Sequence, residues 1–576
     1  MSPSLYFGNF YAGNILAILG RYAILIPQNW SGRRFGISHE IRETYDLNAG
    51  NCLNVMAEKK DHSYWFIFSI MDVIFITVLV IVLGQGGNLL GGADVGFHIR
   101  AGEYIMDNFT IPTHDIFSSS TPPLPWTPPE WLAEVIFSTL YKPFGLTSVV
   151  VFMVFVIAAI YAILFKFLRS SGVRIIVAAL IVVLAAGASA IHWLARPHVF
   201  SLLILLIWYI ILDTYQYQRK NYLYLLPFLM LLWVNLHGSF VMGFILLIVY
   251  IAGNFLKAGF AKEERQESSG RTKVFILFFF LCLLASLLNP QGYKILFSPF
   301  EVANSEIMEH VYEWMSPNFH LGLIYEYLLL IMILVLGVSA KRLNIIEVML
   351  VLLFTHMSLF SARFIPLYAI IISPILGKQI DRIIEDLKGK GFIRELISTS
   401  DNMATVDSKT KWHLWSVAAM AVVIFMCLTG RISYHFDRNK MPVDAVEFLK
   451  SEKIEGKVFN DDVFGSYMIY AAWPDYEVFF DGRDMYGKER TEDYLMVTGL
   501  ERGWEDVLKK YDITWIIYHN KSALSNLLLE RDDWQLIYSD EVANIFVKRT
   551  QENQPLIDKY PNVKPVAAGQ TEDQGK

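Results

Sequence analysis

The sequence predicts a mainly α-helical, polytopic membrane protein with a small α/β domain at its C-terminal end. Its 576 residues are 54% hydrophobic and only 18% charged, which is more apolar surface than a soluble chain of this length can bury. The apolar residues fall into about eleven runs, each close to the roughly 20 helical residues that cross a bilayer. After residue 430, shorter helix and strand patterns alternate, which is typical of an α/β layer domain.

The predicted spans set the domain boundaries. They cover residues 64–83, 146–168, 173–192, 198–214, 222–237, 239–257, 274–290, 322–339, 343–360, 363–378 and 412–430. We therefore predict an N-terminal segment at 1–63, a transmembrane domain at 64–430, an α/β domain at 431–550 and a tail at 551–576. The tail is rich in Gln, Pro, Asp and Glu, a composition that predicts disorder.

The N-terminal segment does not resemble a signal peptide, because its apolar stretch at 14–27 is short and interrupted. One hypothesis is that translation starts at Met56, directly before the first span, and that residues 1–55 are a gene-model extension. The alternative is an amphipathic arm that lies on the membrane surface.

The orientation follows from the positions of Lys and Arg in the short loops. Cations are concentrated in alternate loops, for example at Arg169 and Arg174, at Arg219 and Lys220, and in the run from Lys378 to Lys411. The positive-inside rule makes these loops cytoplasmic. An odd number of spans then places the C-terminal domain outside. The net charge of −6 gives no reason to expect a nucleic-acid partner.

The unusual polar residues near the membrane lie almost entirely on the outer side. They are Asp94, His98 and Arg100 after the first span, Arg196 and His198 before the fourth, His237 after the fifth, and Arg363 at the start of the tenth. Ionisable groups at a lipid boundary are costly without partners. Their one-sided distribution predicts a single site that faces away from the cytoplasm.

The first outer loop, residues 84–145, has helical character. Amphipathic helices are predicted at Phe97–Met106 and at Glu130–Tyr141, joined through a Pro-rich extended link at 122–129 that contains Trp126. Both helices are expected to lie along the membrane surface.

In the C-terminal domain, helices are predicted at 442–449, in the stretch before 511 and at 523–531. Residues 466–472 fit a helix or a strand. Strands are predicted at 456–460, 476–480, 514–518, 536–538 and 543–549. Asp481-Gly482-Arg483 follows one of these strands. At a strand end it either contacts a ligand or the catalytic loop, or forms a turn with a structural ion pair.

Several short motifs are distributed along the chain. They are Asp94-Val-Gly-Phe-His98-Ile-Arg100-Ala-Gly-Glu103, Ile111-Pro112-Thr-His-Asp115, Glu130-Trp131-Leu-Ala-Glu134, Ala195-Arg196-Pro197-His198, Asn235-Leu-His237-Gly238, Asn289-Pro290-Gln-Gly292, Glu313-Trp314-Met-Ser316-Pro317, Arg363-Phe-Ile-Pro366 and Asp481-Gly482-Arg483. With these motifs the chain resembles a bacterial group of GT-C-like membrane glycosyltransferases, similar to the dolichyl-phosphate-mannose–protein mannosyltransferases, whose substrates are largely unassigned. The stretch Pro122-Pro123-Leu124 departs from the small polar turn expected before Trp126.

The resemblance implies a GT-C fold and a hexosyltransferase that acts at the outer face of the bacterial inner membrane. The implied partners are membrane lipid, a polyprenyl-phosphate-linked sugar donor, and a glycan, lipid or protein acceptor. Such a transfer needs a base for the acceptor proton, a cation or metal for the departing phosphate, and exclusion of water.

Asp94 is the predicted base, and the alternative is that it caps the helix that follows. His98 is one helical turn further on, so the two side chains could share a proton or a divalent cation. For His98, however, structural hydrogen bonding is favoured over metal binding. Asp94 is the only metal ligand that we predict.

The predicted substrate-binding residues are Arg100, Glu103, Arg196, His198, His237, Glu313 and Arg363. Arg196 and Arg363 suit an anionic phosphate, with snorkelling to water as the alternative. The two histidines also fit purely structural hydrogen bonding, and Glu313 also fits a solvated loop. In the outer domain, the candidates are Asp481 and Arg483.

Two other classes of function remain open from the sequence. A non-catalytic receptor or assembly scaffold would use the outer domain to bind a partner and the spans as an anchor. A transporter would have polar or broken centres in several spans, whereas the polar groups here gather at one rim.

Overall fold

The computed structural model describes residues 67–260, 262–303, 312–410 and 413–566. The hypothesis of a start at Met56 therefore concerns residues outside the described part of the chain, as do the predicted disorder of residues 567–576 and the first residues of the first predicted span.

Within the described residues, six helical segments are long and apolar enough to cross a membrane. They are Trp131–Ser170, Ile175–His192, His198–Gln218, Gly238–Phe260, Arg265–Ser286 and Ala362–Asp386. Five shorter apolar helices cover Ile70–Leu83, Leu223–Leu236, Ile324–Val338, Ile345–Phe360 and Leu414–Leu428. Every predicted run thus contains a helix, and the chain is a membrane protein. Because only the six longer segments meet the length requirement, the count of eleven spans stays a prediction.

Two further helices lie between the apolar ones, at Ser298–Ala303 and Gly391–Asp407. The second leaves Phe392 and Val406 exposed, and only Ser400 is buried along it. This amphipathic helix follows the end of the Ala362–Asp386 segment.

The first outer loop forms the two expected helices. A loop helix runs from Val95 to Asn108, and a long helix runs from Trp131 to Ser170. The long helix is interrupted at Gly145, whose φ of 70° and ψ of −172° are not helical, so its first part is the predicted amphipathic helix and its second part is the predicted span. The two helices pack so closely that a Cβ on Gly102 would lie 2.0 Å from the carbonyl oxygen of Glu134.

The C-terminal domain is built on a four-stranded sheet in the order β1-β2-β4-β3. The strands are β1 (Lys457–Asn460), β2 (Ile513–His519), β3 (Trp534–Ser539) and β4 (Ala543–Lys548). β1 and β2 are parallel, and β4 is antiparallel to both β2 and β3. The helices of the domain are Val443–Glu452, Asp462–Ala472, Gly487–Thr498, Trp504–Lys510, Ala523–Leu529 and Gln554–Lys559. The predicted α/β class is thus confirmed.

One predicted strand, residues 476–480, is not part of this sheet. Its backbone pairs with the first outer loop instead, since the Val478 N–H donates to the Phe117 carbonyl at 3.0 Å and the Ser119 N–H donates to the Val478 carbonyl at 3.0 Å. The alternation of apolar residues that predicted a strand is satisfied by burial of Val478 and Phe480 between the domain and the loop. This pairing fixes the outer domain against the loop helix region.

The predicted disorder of the tail is wrong for its first part, because Gln554–Lys559 is helical. Ile557 is buried, and the Asn553 side-chain amide donates to the carbonyl oxygens of Lys548 and Thr514. One buried apolar residue and two side-chain hydrogen bonds anchor this segment although its overall composition is polar.

Candidate active site

Nine of the eleven predicted site residues line one cavity of about 570 Å³, a size typical of small-molecule sites. It lies between the loop helix, the start of the long helix, the loops that lead to the later spans, and the outer domain. The predicted residues that line it are Asp94, His98, Arg196, His198, His237, Glu313, Arg363, Asp481 and Arg483. The one-sided distribution seen in the sequence therefore corresponds to one site in space.

Arg100 and Glu103, which we predicted to bind substrate, lie outside this cavity. Arg100 forms an ion pair with Glu103 at 2.5 Å and donates from Nη2 to the Tyr470 carbonyl at 2.6 Å. The helical periodicity turns these two side chains away from His98 and towards the outer domain. Their contacts hold the loop helix to that domain.

Asp94, Arg196 and Glu313 form an ionic cluster on the cavity wall. Arg196 Nη2 is 3.0 Å from Asp94 Oδ2, and its Nη1 is 3.1 Å from Glu313 Oε1. Close approach is possible because residue 92 is Gly with a φ of 96°, where a Cβ would lie 2.3 Å from Arg196 Nη2. Arg196 is therefore paired with two carboxylates, and its guanidinium does not snorkel to water.

Asp94 occupies the N-cap position of the loop helix, but its side chain does not cap the helix. Its Oδ1 instead accepts from the Ser466 hydroxyl of the outer domain at 3.2 Å. Burial raises the pKa of Asp94, and the neighbouring Arg196 guanidinium partly opposes this rise. For Glu313 burial also raises the pKa, but Arg196, His192 and Arg363 outweigh it and the net pKa falls to about 2.

The surroundings of Arg363 differ from those of Arg196. Its guanidinium lies over the ring of Trp314, with Cζ 4.8 Å from the ring centroid, and it forms no ion pair with any described residue. The segment that carries Trp314 is held beside Arg363 because Ser361 Oγ donates to the Glu313 carbonyl at 3.0 Å and the Ala362 N–H to the Met315 carbonyl at 2.9 Å. An oriented guanidinium thus faces the cavity without a direct carboxylate partner among the described residues.

Glu130 also lines the cavity, although it was not among the predicted site residues. Its Oε1 is 3.4 Å from His237 Nε2, and its Oε2 is 3.6 Å from His98 Nε2. Burial raises the pKa of Glu130 to about 8, against an opposing effect of Arg363. A carboxyl group with a pKa near neutrality in a cavity is a common mark of acid/base chemistry.

His98 bridges two carboxyl groups, because its Nδ1 is 3.4 Å from Glu134 Oε1. Burial lowers the pKa of His98 to about 3, with Arg196 and Arg483 acting in the same direction, so the imidazole is neutral. Asp94, by contrast, contacts Arg196 and Ser466. The favoured structural role of His98 thus fits its contacts, and the suggested sharing of a proton or metal between Asp94 and His98 does not.

His198 and His237 make the hydrogen bonds of structural histidines as well as lining the cavity. His198 Nε2 donates to the His192 carbonyl at 2.9 Å, and His237 Nδ1 accepts from the Ser239 N–H at 3.0 Å. These bonds orient both rings at the ends of apolar helices. Of these two histidines, only His237 also contacts Glu130.

Asp481 and Arg483 form a buried ionic cluster at the edge of the cavity. Arg483 donates to Asp481 through Nε at 2.8 Å and to Asp115 of the outer loop through Nη1 at 2.6 Å. The guanidinium lies against the rings of Phe117 and Trp126, with Cζ 4.9 and 4.6 Å from the ring centroids. These contacts match the structural ion-pair alternative and join the outer domain to the loop.

The described residues contain no group of three His, Cys, Asp or Glu side chains placed to hold a metal ion. Both oxygens of Asp94, the only metal ligand predicted from the sequence, already contact Arg196 and Ser466. These residues do not fit a metal site, and we derive no step through a metal.

The sequence carried a signal for the residues that were not assigned roles. Glu130 and Glu134 are four residues apart on an amphipathic helix, so they share a face, and Trp126 lies in the Pro-rich link before that helix. The signal was ambiguous because acidic residues on such a helix more often face water. Only the packing of the loop helix over this face shows that it is covered.

Comparisons with known proteins give a weak likeness. No protein-family model matches the chain, and no curated protein matches it. Among solved structures, the archaeal oligosaccharyltransferase AglB from Archaeoglobus fulgidus, in complex with an inhibitory peptide and a dolichol-phosphate, is similar over 78% of this chain and 69% of its own. The sequence identity is 13% and the TM-score is 0.49. A likeness this weak carries no argument about fold or activity.

Proposed function

We propose that this protein transfers a sugar from a polyprenyl-phosphate-linked donor to an acceptor at the extracytoplasmic face of a bacterial membrane. The observation that carries the proposal is the position and the surroundings of the Arg363 guanidinium. It is an oriented cation in a cavity beside apolar helices, and no described residue forms an ion pair with it. A guanidinium at such a boundary needs an anionic partner, and the phosphate of a lipid-linked donor would supply one.

Other features of the cavity support the same chemistry. Trp126 and Trp314 line it and offer aromatic faces to a sugar ring. Arg196 is held by Asp94 and Glu313, so it contributes a fixed dipole near the phosphate rather than a free charge. Two carboxyl groups, Asp94 and Glu130, face the space in which an acceptor hydroxyl would be deprotonated.

The test is transfer of radiolabelled sugar from polyprenyl-phosphate donors by the purified protein, compared with Arg363→Gln and Arg363→Lys. We expect transfer by the wild type, a loss of about a hundredfold in kcat/KM for Arg363→Gln, and a raised donor KM for Arg363→Lys, because an ammonium cannot form paired hydrogen bonds. Arg438→Gln, at an exposed ion pair of the outer domain, is the matched control and should retain activity.

Absence of transfer with every polyprenyl-phosphate sugar offered, combined with unchanged donor binding in Arg363→Gln, would overturn the proposal. It would leave the receptor or scaffold as the better explanation for the outer domain.

A further inference from the structure

Glu130 stands at the start of the long helix, where its carboxyl group faces the cavity. We propose that Glu130, rather than Asp94, takes the proton from the acceptor hydroxyl. The assignment rests on the proposed transferase function and concerns which group acts as its base. It follows from the charges of the groups that lie beside the two carboxyl groups.

The imidazole of His237 lies beside one oxygen of Glu130. His237 Nδ1 accepts the Ser239 N–H at 3.0 Å, and Ser201 Oγ also lies 3.0 Å from it, so the ring proton of the neutral imidazole is on Nε2. Glu130 Oε1 lies 3.4 Å from this Nε2, a long polar contact. A backbone amide thus determines the tautomer, and the tautomer presents a donor to Glu130.

The imidazole of His98 lies beside the other oxygen. Glu134 is buried, and its Oε2 has no hydrogen-bond partner among the described residues, which favours a protonated carboxyl because an isolated buried charge is costly. A proton on Glu134 Oε1 donates to His98 Nδ1, 3.4 Å away, and leaves the ring proton on Nε2. His98 Nε2–H then lies 3.6 Å from Glu130 Oε2, a polar contact longer than a hydrogen bond.

The nearest groups to the two oxygens of Glu130 thus include two neutral imidazoles, whereas Asp94 is ion-paired with a cation. Arg196 is 3.0 Å from Asp94 Oδ2, and an ion pair of this kind stabilises the carboxylate against protonation. Glu130 makes no ion pair with any Lys or Arg of the described residues. Of the two, Glu130 is the carboxylate that can accept a proton without breaking an ion pair.

The charged and titratable groups around Glu130 come from every neighbouring element. They are His98 and Asp94 at the loop helix, Glu134 on the long helix, Arg196 and His237 at the ends of later spans, and Arg363 across the cavity. Burial raises the pKa of Glu130 and Asp94 adds to the rise, while Arg363 and Arg196 oppose it, with a net value of about 8. A base with a pKa near the working pH is the most effective one.

The step balances without another reactant. As the acceptor oxygen bonds to the anomeric carbon of the sugar, its proton passes to a Glu130 oxygen. The bond between that carbon and the phosphate oxygen breaks, and the electron pair leaves with the phosphate, whose charge Arg363 meets. Glu130 afterwards loses the proton to water that enters the cavity.

The test compares the wild type with Glu130→Gln over about pH 6 to about 10. We expect the wild-type rate to rise with pH to a midpoint near 8, because the base must be ionised. In Glu130→Gln we expect a loss of about a hundredfold or more in kcat, no rising limb, and an unchanged donor KM. Asp107→Asn removes an exposed carboxyl of the same loop helix and should match the wild type throughout.

The outcomes separate this inference from the proposed function. No transfer by the wild type overturns the proposed function. If the wild type transfers sugar and Glu130→Gln shows the same rate and the same rise of rate with pH, only the inference about Glu130 is overturned. Loss of the limb in Asp94→Asn but not in Glu130→Gln would assign the base to Asp94.

A second variant covers the case in which Glu130→Gln does not fold. Glu130→Asp keeps the carboxyl group but withdraws it by one methylene from both imidazoles. It should retain part of the rate, with the pH midpoint displaced. An unchanged rate and midpoint in Glu130→Asp would contradict a role that depends on the position of this carboxyl group.

Discussion

At the scale of single residues, Asp94 and Glu130 show how partners decide the chemistry of a side chain. Both carboxyl groups are largely buried, and burial raises the pKa of each. They differ because Asp94 is ion-paired with Arg196 and accepts from Ser466, while Glu130 lies between two imidazoles. Asp94 is thus suited to holding Arg196 in place, and Glu130 to exchanging a proton.

The substitution Asp94→Asn tests this division. Asparagine keeps the shape and can still accept from Ser466, but it leaves Arg196 with Glu313 as its one carboxylate partner among the described residues. Without Asp94 the Arg196 guanidinium is free to shift at the cavity wall, and because misplacement of a site group by about 1 Å can cost a hundredfold in rate, we expect transfer to fall by about a hundredfold. The rising pH limb should keep its midpoint.

The measurement is the transfer rate as a function of pH, with folding checked by size exclusion in detergent. Full activity of Asp94→Asn would show that the ionic cluster has no role in transfer. A shifted midpoint would show that Asp94 contributes to the acid/base step.

At the scale of elements, the site depends on how closely the loop helix packs against the long helix. The loop helix presents His98, and the long helix starts beside Glu130 and presents Glu134. Gly102 allows the contact, because any side chain there would meet the Glu134 backbone. A change of helix separation would therefore move His98 relative to both carboxyl groups.

We predict that Gly102→Ala destabilises the protein and reduces transfer. A Cβ at this position would lie 2.0 Å from the Glu134 carbonyl oxygen and 2.8 Å from Ser138 Cβ, so the helices must move apart. Overpacking of this kind costs about 1–3 kcal/mol. Thermal denaturation in detergent measures the stability.

Gly87→Ala is the control, since a Cβ at Gly87 meets no atom within 4 Å. It should denature at the wild-type temperature. Equal stability of Gly102→Ala and Gly87→Ala would mean that the two helices are not packed as described.

At the scale of the whole molecule, the outer domain forms part of the cavity wall. Ser466 reaches Asp94, Arg483 reaches Asp115, and Val478 pairs with the loop backbone at Phe117. The cavity walls thus come from both ends of the chain, which requires the loop and the outer domain to lie on the same side of the membrane.

The Lys/Arg distribution predicts that this side is extracytoplasmic. Single cysteines at Gln266 and at Ser451, both exposed, would report the two sides in a variant whose native cysteines are replaced. In intact cells, an impermeant thiol reagent should label Ser451→Cys and leave Gln266→Cys unlabelled. Labelling of Gln266→Cys alone would invert the topology.

The class of the molecule could be predicted from the sequence because it depends on local, additive properties. Apolar runs near the length of a bilayer predicted helices, and each run contains one. Alternating patterns predicted the α/β domain. Residues 476–480 show the limit of such patterns. Their apolar alternation fits a strand of the sheet and an extended segment paired with the outer loop equally well.

Part of the candidate site could also be predicted from the sequence, because the cost of a charge near lipid is likewise a local property. Asp94, Arg196 and Arg363 are conspicuous in the sequence because charges near lipid are costly wherever they occur. Glu130 is not conspicuous, since an acid at the start of an amphipathic helix is ordinary. Its distinctive surroundings, His98 and His237, are contributed by segments 32 and 107 residues away in the chain. Hydrogen-bond partners at such separations exist only once the chain has folded, so the tertiary structure alone decides which carboxyl group is paired and which is free to act.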